Sequence, residues 1–249
     1  MDAPPFGTCE VWVARVSAAV PYLGRLATVV SAVERDRVGR LLDPRQRHRA
    51  LSSFGLLRLL LGRYLAQHPS DVALDRSCTE CDGPHGRPRL APECSLHFSV
   101  AHSGDLLLFA FAQAQPVGVD VEATRGRGAP PLSCDLLNAA LTGAERGYVE
   151  GLPIAARWPA FLRYWTQKEA VLKTIGTGLS INPTSLQLAP SATAQWARFA
   201  APEAGRAAVW VSPVDVGGDP AAVASTRGLD TVIVRPFTGH STYRTVVLT

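Results

Sequence analysis

The stretch WTQKEAVLKTIGTGL, Trp165 to Leu179, contains the only two lysines, Lys168 and Lys173, of a chain of 249 residues. All the other residues among its 25 lysines and arginines are arginine. The spacing predicts a helix over 156–175 with one apolar face, made of Phe161, Trp165, Leu172 and Ile175. Lys168 falls on that face. An ammonium group among apolar side chains needs an anion, unless its stem carries the charge out to the surface.

A second pair on the same helix, Glu169 and Lys173, is four residues apart and ordered for a favourable side-chain contact. On a solvated face such a pair contributes only a few tenths of a kcal/mol to helix stability. Lysine differs from arginine because its compact ammonium shifts its pKa readily and can give up a proton. The two lysines therefore indicate a phosphate-like partner. The glycines of TIGTGL would end the helix and let the backbone approach a ligand closely.

The stretch PVGVDVE, 116–122, alternates like a strand with two different faces. The valines Val117, Val119 and Val121 lie on one face, and Asp120 and Glu122 lie on the other. Neighbouring carboxylates repel unless a cation lies between them. Hard oxygen ligands suit Mg²⁺, which completes its octahedron with phosphate and water. A solvated strand edge is the alternative interpretation of the same pair.

Length and composition favour a folded protein that acts on an anionic ligand or an acidic partner. The chain is 47% hydrophobic and 18% charged, with a net charge of +4. No segment reaches the length of a membrane span, and the N-terminus lacks the pattern of a secretory signal. Five cysteines, an odd number, suit reduced thiols, so we expect a cytoplasmic protein. The arginine-rich segment 34–63 lacks interleaved aromatics and indicates a solvated helix face rather than a nucleic-acid surface.

The hydrophobic pattern switches between strands and helices along the whole chain, which predicts an α+β fold. Helices are expected at 32–67, with a break near Asp43 and Pro44, and at 133–150 and 156–175. Strands are expected at 11–16, 96–100, 106–112 and 116–122, with short β-like runs after residue 185. Loops rich in glycine and proline are expected at 75–92 and 125–131.

Taken together, GVDVE (118–122) and WTQKEAVLK (165–173) resemble the 4′-phosphopantetheinyl transferase superfamily. Its signature is G-x-D-x-E followed by W-[ST]-x-K-E-[AS]-x-x-K, and the order and spacing of the two parts make the match specific. The resemblance to the surfactin synthetase-type class implies two similar α/β halves about a pseudo-twofold axis, with the active site at their interface. The N-terminal half, 1–114, would contact the 3′-phosphate and adenine of coenzyme A. The C-terminal half, 115–249, would carry the metal site and the catalytic helix.

Three shorter stretches extend the resemblance toward the N-terminus. HGRP (85–88) is similar to the family element G-K-P, with Arg87 in the lysine position. HFSVAHSG (97–104) is similar to F-N-x-S-H-S-G, and RHRALSSFGLLR (47–58) is similar to the family's N-terminal helix. Two residues depart from the family pattern. Ala101 replaces a serine that would contact phosphate, and Ser99 replaces an asparagine that would hold a turn.

The resemblance assigns a role to each matching residue. Magnesium, or manganese in its place, would be held by Asp120, Glu122 and Glu169. The catalytic residues would be Glu169, Lys173 and His102, although a lone histidine is also a common turn residue. Coenzyme A would be bound by Arg37, Arg49, Gly86, Arg87, Pro88, His102, Ser103, Lys168 and Lys173. Of these residues, Arg37 and Arg49 would meet the 3′-phosphate, and residues 86–88 would border the adenine. His102 would bind phosphate, and the two lysines would hold the pyrophosphate.

The implied reaction transfers 4′-phosphopantetheine from coenzyme A to a serine of an acyl or peptidyl carrier protein and releases adenosine 3′,5′-bisphosphate. Such carriers serve fatty acid, polyketide and nonribosomal peptide biosynthesis, and the class implies a monomer. Two alternatives remain open, a non-catalytic coenzyme A-binding paralogue and a magnesium-dependent hydrolase or transferase acting on another pyrophosphate. An interaction scaffold has only the arginine-rich segment in its favour.

Two loops carry separate expectations. The residues Cys78, Cys81, His85 and Cys94 are of types that bind zinc, but their spacing is irregular and free surface thiols are the alternative. An acceptor protein is expected to dock near 123–136, where acidic helices of a carrier could meet Arg125 and Arg127.

Overall fold

The computed structural model describes residues 2–77, 83, 86–124, 131–176, 181–189, 193–201, 205–237 and 244–247, without side-chain detail at 200–201, 205–207 and 244–247. The helices are α1 Val16–Ala19, α2 Leu23–Val29, α3 Ala32–Gly39, α4 Pro44–Leu65, α5 Cys134–Ala140, α6 Gly143–Gly151 and α7 Ile154–Ile175. The strands are β1 Thr8–Arg15, β2 Leu74–Asp75, β3 Arg89–Leu90, β4 Leu96–Ser103, β5 Leu106–Gln113, β6 Val117–Val121, β7 Gln195–Ala201, β8 Gly205–Pro213, β9 Ala221–Ser225, β10 Thr231–Pro236 and β11 Arg244–Val247.

The strands form two larger sheets and one short hairpin. The first sheet has the order β11-β10-β1-β5-β4, and β1 pairs in parallel with β10 and antiparallel with β5. The second sheet has the order β6-β9-β8-β7 and is antiparallel throughout. Strands β10 and β11, late in the chain, thus belong to the sheet that the N-terminal strands build. The division of the chain at 114/115 stays a prediction.

The core is layered as helix, sheet, sheet and helix. Helix α4 covers one face of the first sheet through its leucine-rich stripe, with Leu57 and Leu61 packing in the same cluster as Phe109. The other face of this sheet packs on the second sheet, where Leu108 and Val119 share one buried cluster. Helix α7 covers the outer face of the second sheet. Strand β6 is therefore buried between the first sheet and α7.

The ends of the long helices follow from their sequences. Asp43 caps α4 by accepting a hydrogen bond from the Arg45 amide at 2.8 Å, and Pro44 occupies the first turn, which confirms the predicted break. Helix α7 ends at Ile175 and is capped by Gly176, whose φ of 84° lies in the left-handed region that glycine adopts freely. It begins two residues before its predicted start at 156.

Two parts of the fold differ from the sequence-based expectation. The helix expected over 133–150 is two helices, because Thr142 starts α6 with its own capping box. The short helices α1 and α2 were not predicted at all. The mixed α+β class is confirmed. Within the described residues, no helix is both long enough and apolar enough to cross a membrane.

Candidate active site

Strand β6 and helix α7 meet at Gly118, which sets the distance between them. A Cβ atom at Gly118 would lie 2.0 Å from the carbonyl oxygen of Ala170 and 2.6 Å from Oγ1 of Thr174. Both distances are far below van der Waals contact, so any side chain here would push the helix off the strand. Gly118 therefore lets α7 lie directly against β6. Asp120, two residues further on the same face of the strand, also faces the helix.

Asp120 forms an ion pair with Lys173 at this junction. The residue is 8% exposed, and its Oδ1 lies 2.7 Å from Nζ of Lys173, which also donates to the Val119 carbonyl at 3.1 Å. Oδ2 of Asp120 is buried and has no hydrogen-bond partner among the described residues. Burial raises the pKa of Asp120 to about 6, Lys173 opposes that rise, and the charges of Glu169 and Glu122 add to it.

Glu169 and Glu122 complete an acidic cluster around Asp120. Oε1 of Glu169 is buried and finds no partner within the described part of the chain. Burial raises the pKa of Glu169, the Lys173 charge lowers it, and Glu122 raises it again. Oε2 of Glu122 accepts a hydrogen bond from the Ser103 hydroxyl at 2.8 Å. The Lys173 ammonium pairs with Asp120 and acts on the charge of Glu169, and one oxygen of each of these two carboxylates has no partner among the described residues.

His102 enters the same region from the end of β4. Partial desolvation lowers the pKa of the imidazole, as do the charges of Arg49 and Lys173, whereas Glu122 opposes them. His102 therefore lies within electrostatic reach of both the acidic cluster and two cations, one of them on α4. The neutral ring that results can accept or donate a hydrogen bond near neutral pH.

Arg37 lies in a different neighbourhood from Arg49. It belongs to the last turn of α3. Desolvation lowers the pKa of Arg76, and the charge of Arg37 adds to this effect. The guanidinium of Arg76 lies 5.1 Å from the centre of the Phe54 ring. The structure thus brings Arg49 together with His102 and places Arg37 beside Arg76. The contact of either arginine with a 3′-phosphate stays a prediction.

Lys168 has its anion inside the protein, which corrects its predicted role in holding a pyrophosphate. The side chain is 0% exposed, and Nζ lies 2.6 Å from Glu145 and 2.9 Å from the carbonyl oxygens of Ala140 and Pro183. An ammonium has three donors, and these acceptors use them all. Burial lowers the pKa of Lys168, and the carboxylate of Glu145 opposes this. Lys168 has neither the exposure nor the spare donor that a ligand requires.

Glu145 is one residue that the sequence-based reasoning missed. Its Oε2 accepts the Thr142 amide at 2.8 Å and its Oε1 accepts the Leu188 amide at 2.9 Å, so both oxygens are used within the fold. The T-x-x-E spacing of Thr142 and Glu145 is a signal for a helix start. Nothing in the sequence connects this glutamate with Lys168, because the contact depends on how α6 packs against α7.

Arg87 uses its guanidinium on the main chain. It donates to the carbonyl oxygens of Phe98 and Val117, both at 2.8 Å, and to that of Lys173. Desolvation lowers the pKa of the guanidinium. Its neighbours on the same loop are Gly86, whose amide donates to the Arg76 carbonyl at 2.8 Å, and Pro88. The three carbonyls that accept from Arg87 take three of the five donors of its guanidinium, and its contact with coenzyme A stays a prediction.

Further hydrogen bonds fix the end of β6, from which Glu122 extends. Asp219 accepts from both the amide and the hydroxyl of Thr124 at 2.8 Å, and the Glu122 amide donates to the Pro220 carbonyl at 2.9 Å. Ser99 accepts the Val119 amide at 3.1 Å and so ties β4 to β6. Asp219 was missed because it lies far along the chain, in the loop between β8 and β9.

Several expectations fall on residues outside the described ranges. Cys78, Cys81 and His85 lie there, while Cys94 is described and exposed. The loop residues Arg125 and Arg127 also lie there. In the ranges that the structure describes, no group of three or more histidine, cysteine, aspartate or glutamate side chains forms a ready-made metal site. Within the acidic cluster, the Lys173 ammonium pairs with Asp120.

Comparisons with known proteins point in one direction. A family model described as the 4′-phosphopantetheinyl transferase superfamily matches residues 116–224, which include β6 and α7. The 4′-phosphopantetheinyl transferase HetI of Nostoc sp. is 32% identical over 183 residues, covering 67% of this chain and 72% of the relative. A phosphopantetheinyl transferase of Thraustochytrium sp. is 30% identical, covering 70% of this chain and 63% of the relative. The 4′-phosphopantetheinyl transferase Sfp of Bacillus subtilis is 26% identical, covering 63% of this chain and 65% of the relative.

Proposed function

The chain belongs to the 4′-phosphopantetheinyl transferase superfamily, and we propose that it transfers 4′-phosphopantetheine from coenzyme A to a serine of a carrier protein. The 32% identity over 72% of the Nostoc relative carries the family assignment. The predicted family and the predicted enzyme class are thereby confirmed. The chain spans just under two thirds of the length of the Thraustochytrium and Bacillus relatives, 63% and 65%.

The junction of β6 and α7 is the observation that supports this reaction most directly. It presents Lys173 and Asp120 as a pair, with Glu169 and Glu122 close by and two carboxylate oxygens without a partner in the described chain. A diphosphate needs cations around it, and a carrier serine needs a proton acceptor near the attacked phosphorus. Both kinds of group are present within one site.

The carboxylate cluster fits a divalent cation chemically. The partnerless Oδ2 of Asp120 and Oε1 of Glu169 are hard oxygen donors, and burial raises the pKa of both groups, so a second cation would relieve their mutual repulsion. We propose that Asp120, Glu122 and Glu169 hold Mg²⁺, or Mn²⁺ in its place. When bound, such an ion neutralises charge on the diphosphate and polarises the phosphorus.

The chemistry of the protein itself follows from the remaining groups. The serine oxygen attacks the β-phosphorus of coenzyme A, and the bond from that phosphorus to the bridging oxygen breaks. Glu169 takes the serine proton directly or through a water molecule, which is typically worth about 10²- to 10⁴-fold in rate. Lys173 and His102 bind the diphosphate, and Lys173 compensates the charge that develops on the departing adenosine 3′,5′-bisphosphate.

The nucleotide would extend away from this centre along β4 and α4. Arg49 lies within electrostatic reach of His102, so it is the arginine best placed to meet a 3′-phosphate. A contact of Arg37 with the same phosphate is proposed on the resemblance alone. Gly86 and Pro88 would border the adenine through their main chain. Ser103 donates to Glu122, so we propose that it orients this carboxylate in addition to its predicted contact with phosphate.

The finer organisation is also proposed on the resemblance. Two α/β halves, 1–114 and 115–249, would be related by a pseudo-twofold axis, and a monomer would hold one complete site in the cytoplasm. The acceptor would be an acyl or peptidyl carrier protein that docks near 123–136. The first residues of α5, which spans Cys134–Ala140, belong to that segment.

The decisive experiment is direct transfer. The protein is incubated with coenzyme A, Mg²⁺ and apo carrier proteins from fatty acid, polyketide and peptide synthases, and the carriers are weighed by mass spectrometry. We expect a mass gain of one phosphopantetheine arm on at least one carrier. Asp120→Ala should abolish the gain with the fold intact, and Asp71→Ala, at an exposed carboxylate bonded to Ser70, should leave it unchanged.

The alternatives give different outcomes in the same assay. A hydrolase would consume coenzyme A and leave every carrier at its apo mass. A non-catalytic paralogue would bind coenzyme A and release no adenosine 3′,5′-bisphosphate. Either result would overturn the proposed reaction. Magnesium-dependent transfer by Asp120→Ala would instead remove this residue from the metal site.

A further inference from the structure

Arg87 connects three elements that meet at the candidate active site. Its guanidinium donates to the carbonyl of Phe98 in β4, to that of Val117 at the start of β6, and to that of Lys173 in α7. These carbonyls belong to the first sheet, the second sheet and the helix that also carries Glu169. One side chain therefore ties both sheets to the helix that provides the acidic and basic groups.

The carbonyl of Lys173 is a natural acceptor for this cation. Helix α7 ends at Ile175, so the Lys173 carbonyl is among the last four, which lack a donor from within the helix. The preceding carbonyl, of Leu172, is closed by the Gly176 amide at 3.0 Å. The partial negative charge at a helix C-terminus also favours a cation. Arg87 supplies both a donor and a positive charge at this end of α7.

A guanidinium suits this place better than an ammonium does. Its donors are fixed in a planar fork, so they reach carbonyl groups that come from separate elements in different directions. It is also more weakly hydrated, which eases its burial against carbonyl oxygens. The family element similar to HGRP has lysine where this chain has Arg87. The three carbonyl contacts give a physical reason for arginine at this position.

We infer that Arg87 is a positioning residue. It holds the last turn of α7 against β4 and β6, so that the ammonium of Lys173 reaches Asp120, and its side chain does not bind the nucleotide. The kinetic consequence rests on the proposed function. The structural consequence, an ordered last turn of α7, holds whatever reaction the protein carries out.

The kinetic test compares Arg87→Met with Arg89→Met. Arg89 is the matched control, because it lies two residues further on, is 46% exposed and pairs with Asp75. In transfer assays we expect Arg87→Met to lower kcat about 10- to 100-fold, since a misplacement of about 1 Å at a reacting group has a cost of that order. The KM for coenzyme A should change less than threefold, and Arg89→Met should match the wild type. Arg87→Lys should recover part of kcat, because an ammonium can still reach some of the carbonyls.

A nucleotide ligand would give the opposite pattern. If Arg87→Met raised the KM for coenzyme A tenfold and left kcat unchanged, Arg87 would contact the substrate and the inference would be overturned. Wild-type kinetics in Arg87→Met would overturn it as well.

The structural test needs no substrate. Amide hydrogen exchange of the segment 172–176 should be at least about tenfold faster in Arg87→Met than in the wild type, and unchanged in Arg89→Met. If Arg87→Met does not fold, the same measurement on Arg87→Lys decides the question. Unchanged exchange in this segment would contradict the inference. If the wild type transfers no phosphopantetheine, the proposed function fails, yet the exchange result still decides whether Arg87 orders α7.

Discussion

The two lysines of helix α7 lie five residues apart in opposite surroundings. Lys168 is 0% exposed, and its pair with Glu145 is closed, because two carbonyls complete the donors of the ammonium and backbone amides occupy the carboxylate. The side chain of Lys173 is 29% exposed, and its pair with Asp120 is open. One oxygen of that carboxylate has no partner among the described residues.

The difference separates structure from chemistry within one helix. Buried polar groups are nearly always paired, so a partnerless carboxylate oxygen next to a cation indicates a group that a ligand completes. The closed pair has no capacity left for a ligand and can only fix how α6 packs on α7. The raised pKa of Asp120 points the same way, because the fold keeps a carboxylate where its charge is poorly solvated.

The largest expected effect comes from breaking the closed pair. Lys168→Met would leave the charge of Glu145 buried without its cation, which typically lowers the free energy of unfolding by about 3–5 kcal/mol. Urea denaturation measures this loss. Transfer by the protein that remains folded should keep the wild-type kcat, because Lys168 has no spare donor for substrate.

The double variant Glu145→Gln/Lys168→Met is the control for that prediction. Glutamine removes the buried charge and keeps an acceptor for a backbone amide, so this variant should recover part of the lost stability. If Lys168→Met had the wild-type free energy of unfolding and a large loss of kcat, Lys168 would bind the pyrophosphate after all. The two lysines would then not differ in role.

The open pair should show the reverse pattern. Lys173→Met removes the ammonium that compensates charge on the diphosphate, so we expect kcat to fall about 10²- to 10³-fold, which corresponds to about 3–4 kcal/mol. The free energy of unfolding should change little, since the lysine is partly exposed and its loss leaves Asp120 free to bind a proton. Transfer assays measure kcat, and urea denaturation of the same preparation measures the free energy of unfolding. Equal losses of stability at Lys168 and Lys173 would contradict the comparison.

The sequence was sufficient for the parts of the site that depend on local pattern. Alternation in PVGVDVE correctly separated the buried valines from Asp120, and Asp43–Pro44 correctly marked the start of α4. The apolar arc of α7 correctly implied that Lys168 is buried and needs an anion. Local periodicity decides which way a side chain faces, and these predictions needed nothing more.

The sequence was insufficient where the partner of a group is set by packing. The anion of Lys168 is Glu145, not a ligand, and the donors of Arg87 go to carbonyls on three separate elements. Strand β10, far along the chain, pairs beside β1. Such contacts depend on how elements dock, which no spacing along the chain reveals. The predicted ligand role of Lys168 failed for this reason.

The pH dependence of stability offers a smaller test of the open pair. The folded pKa of Asp120, about 6, is above the ordinary value of 3.8, so the folded protein binds this proton more tightly than the unfolded chain does. The contribution of Asp120 to stability is therefore fully present below pH 4 and is lost as the pH rises through 6. Asparagine at position 120 does not ionise, so it contributes no such pH dependence. With a chelator present, Asp120→Asn should be more stable than the wild type at pH 7.5, by up to about 3 kcal/mol.

The control for that measurement is the pH itself, because the advantage of Asp120→Asn should shrink steadily as the pH falls from 7 to 4. The same scan on Asp71→Asn, at an exposed carboxylate, should show no such trend. An advantage that stays constant across this range would mean that the charge of Asp120 is well compensated in the folded protein, and the pair would then count as closed.

The smallest expected effect compares one supporting hydroxyl beside each pair. Ser103 donates to Glu122 at 2.8 Å, next to the open pair, whereas the Thr142 hydroxyl accepts the Glu145 amide at 3.3 Å, next to the closed pair. Ser103→Ala should raise the Mg²⁺ concentration for half-maximal transfer about tenfold, because loss of one hydrogen bond to a carboxylate costs about 1.5 kcal/mol. Thr142→Ala should instead lower the free energy of unfolding by about 1 kcal/mol, as the loss of a helix cap does, and leave the Mg²⁺ requirement unchanged. If the two hydroxyls exchanged these effects, the division between a structural pair and a catalytic pair on α7 would be wrong, because the Ser103 hydroxyl supports a carboxylate of the open pair's cluster, whereas the Thr142 hydroxyl caps the helix that carries Glu145.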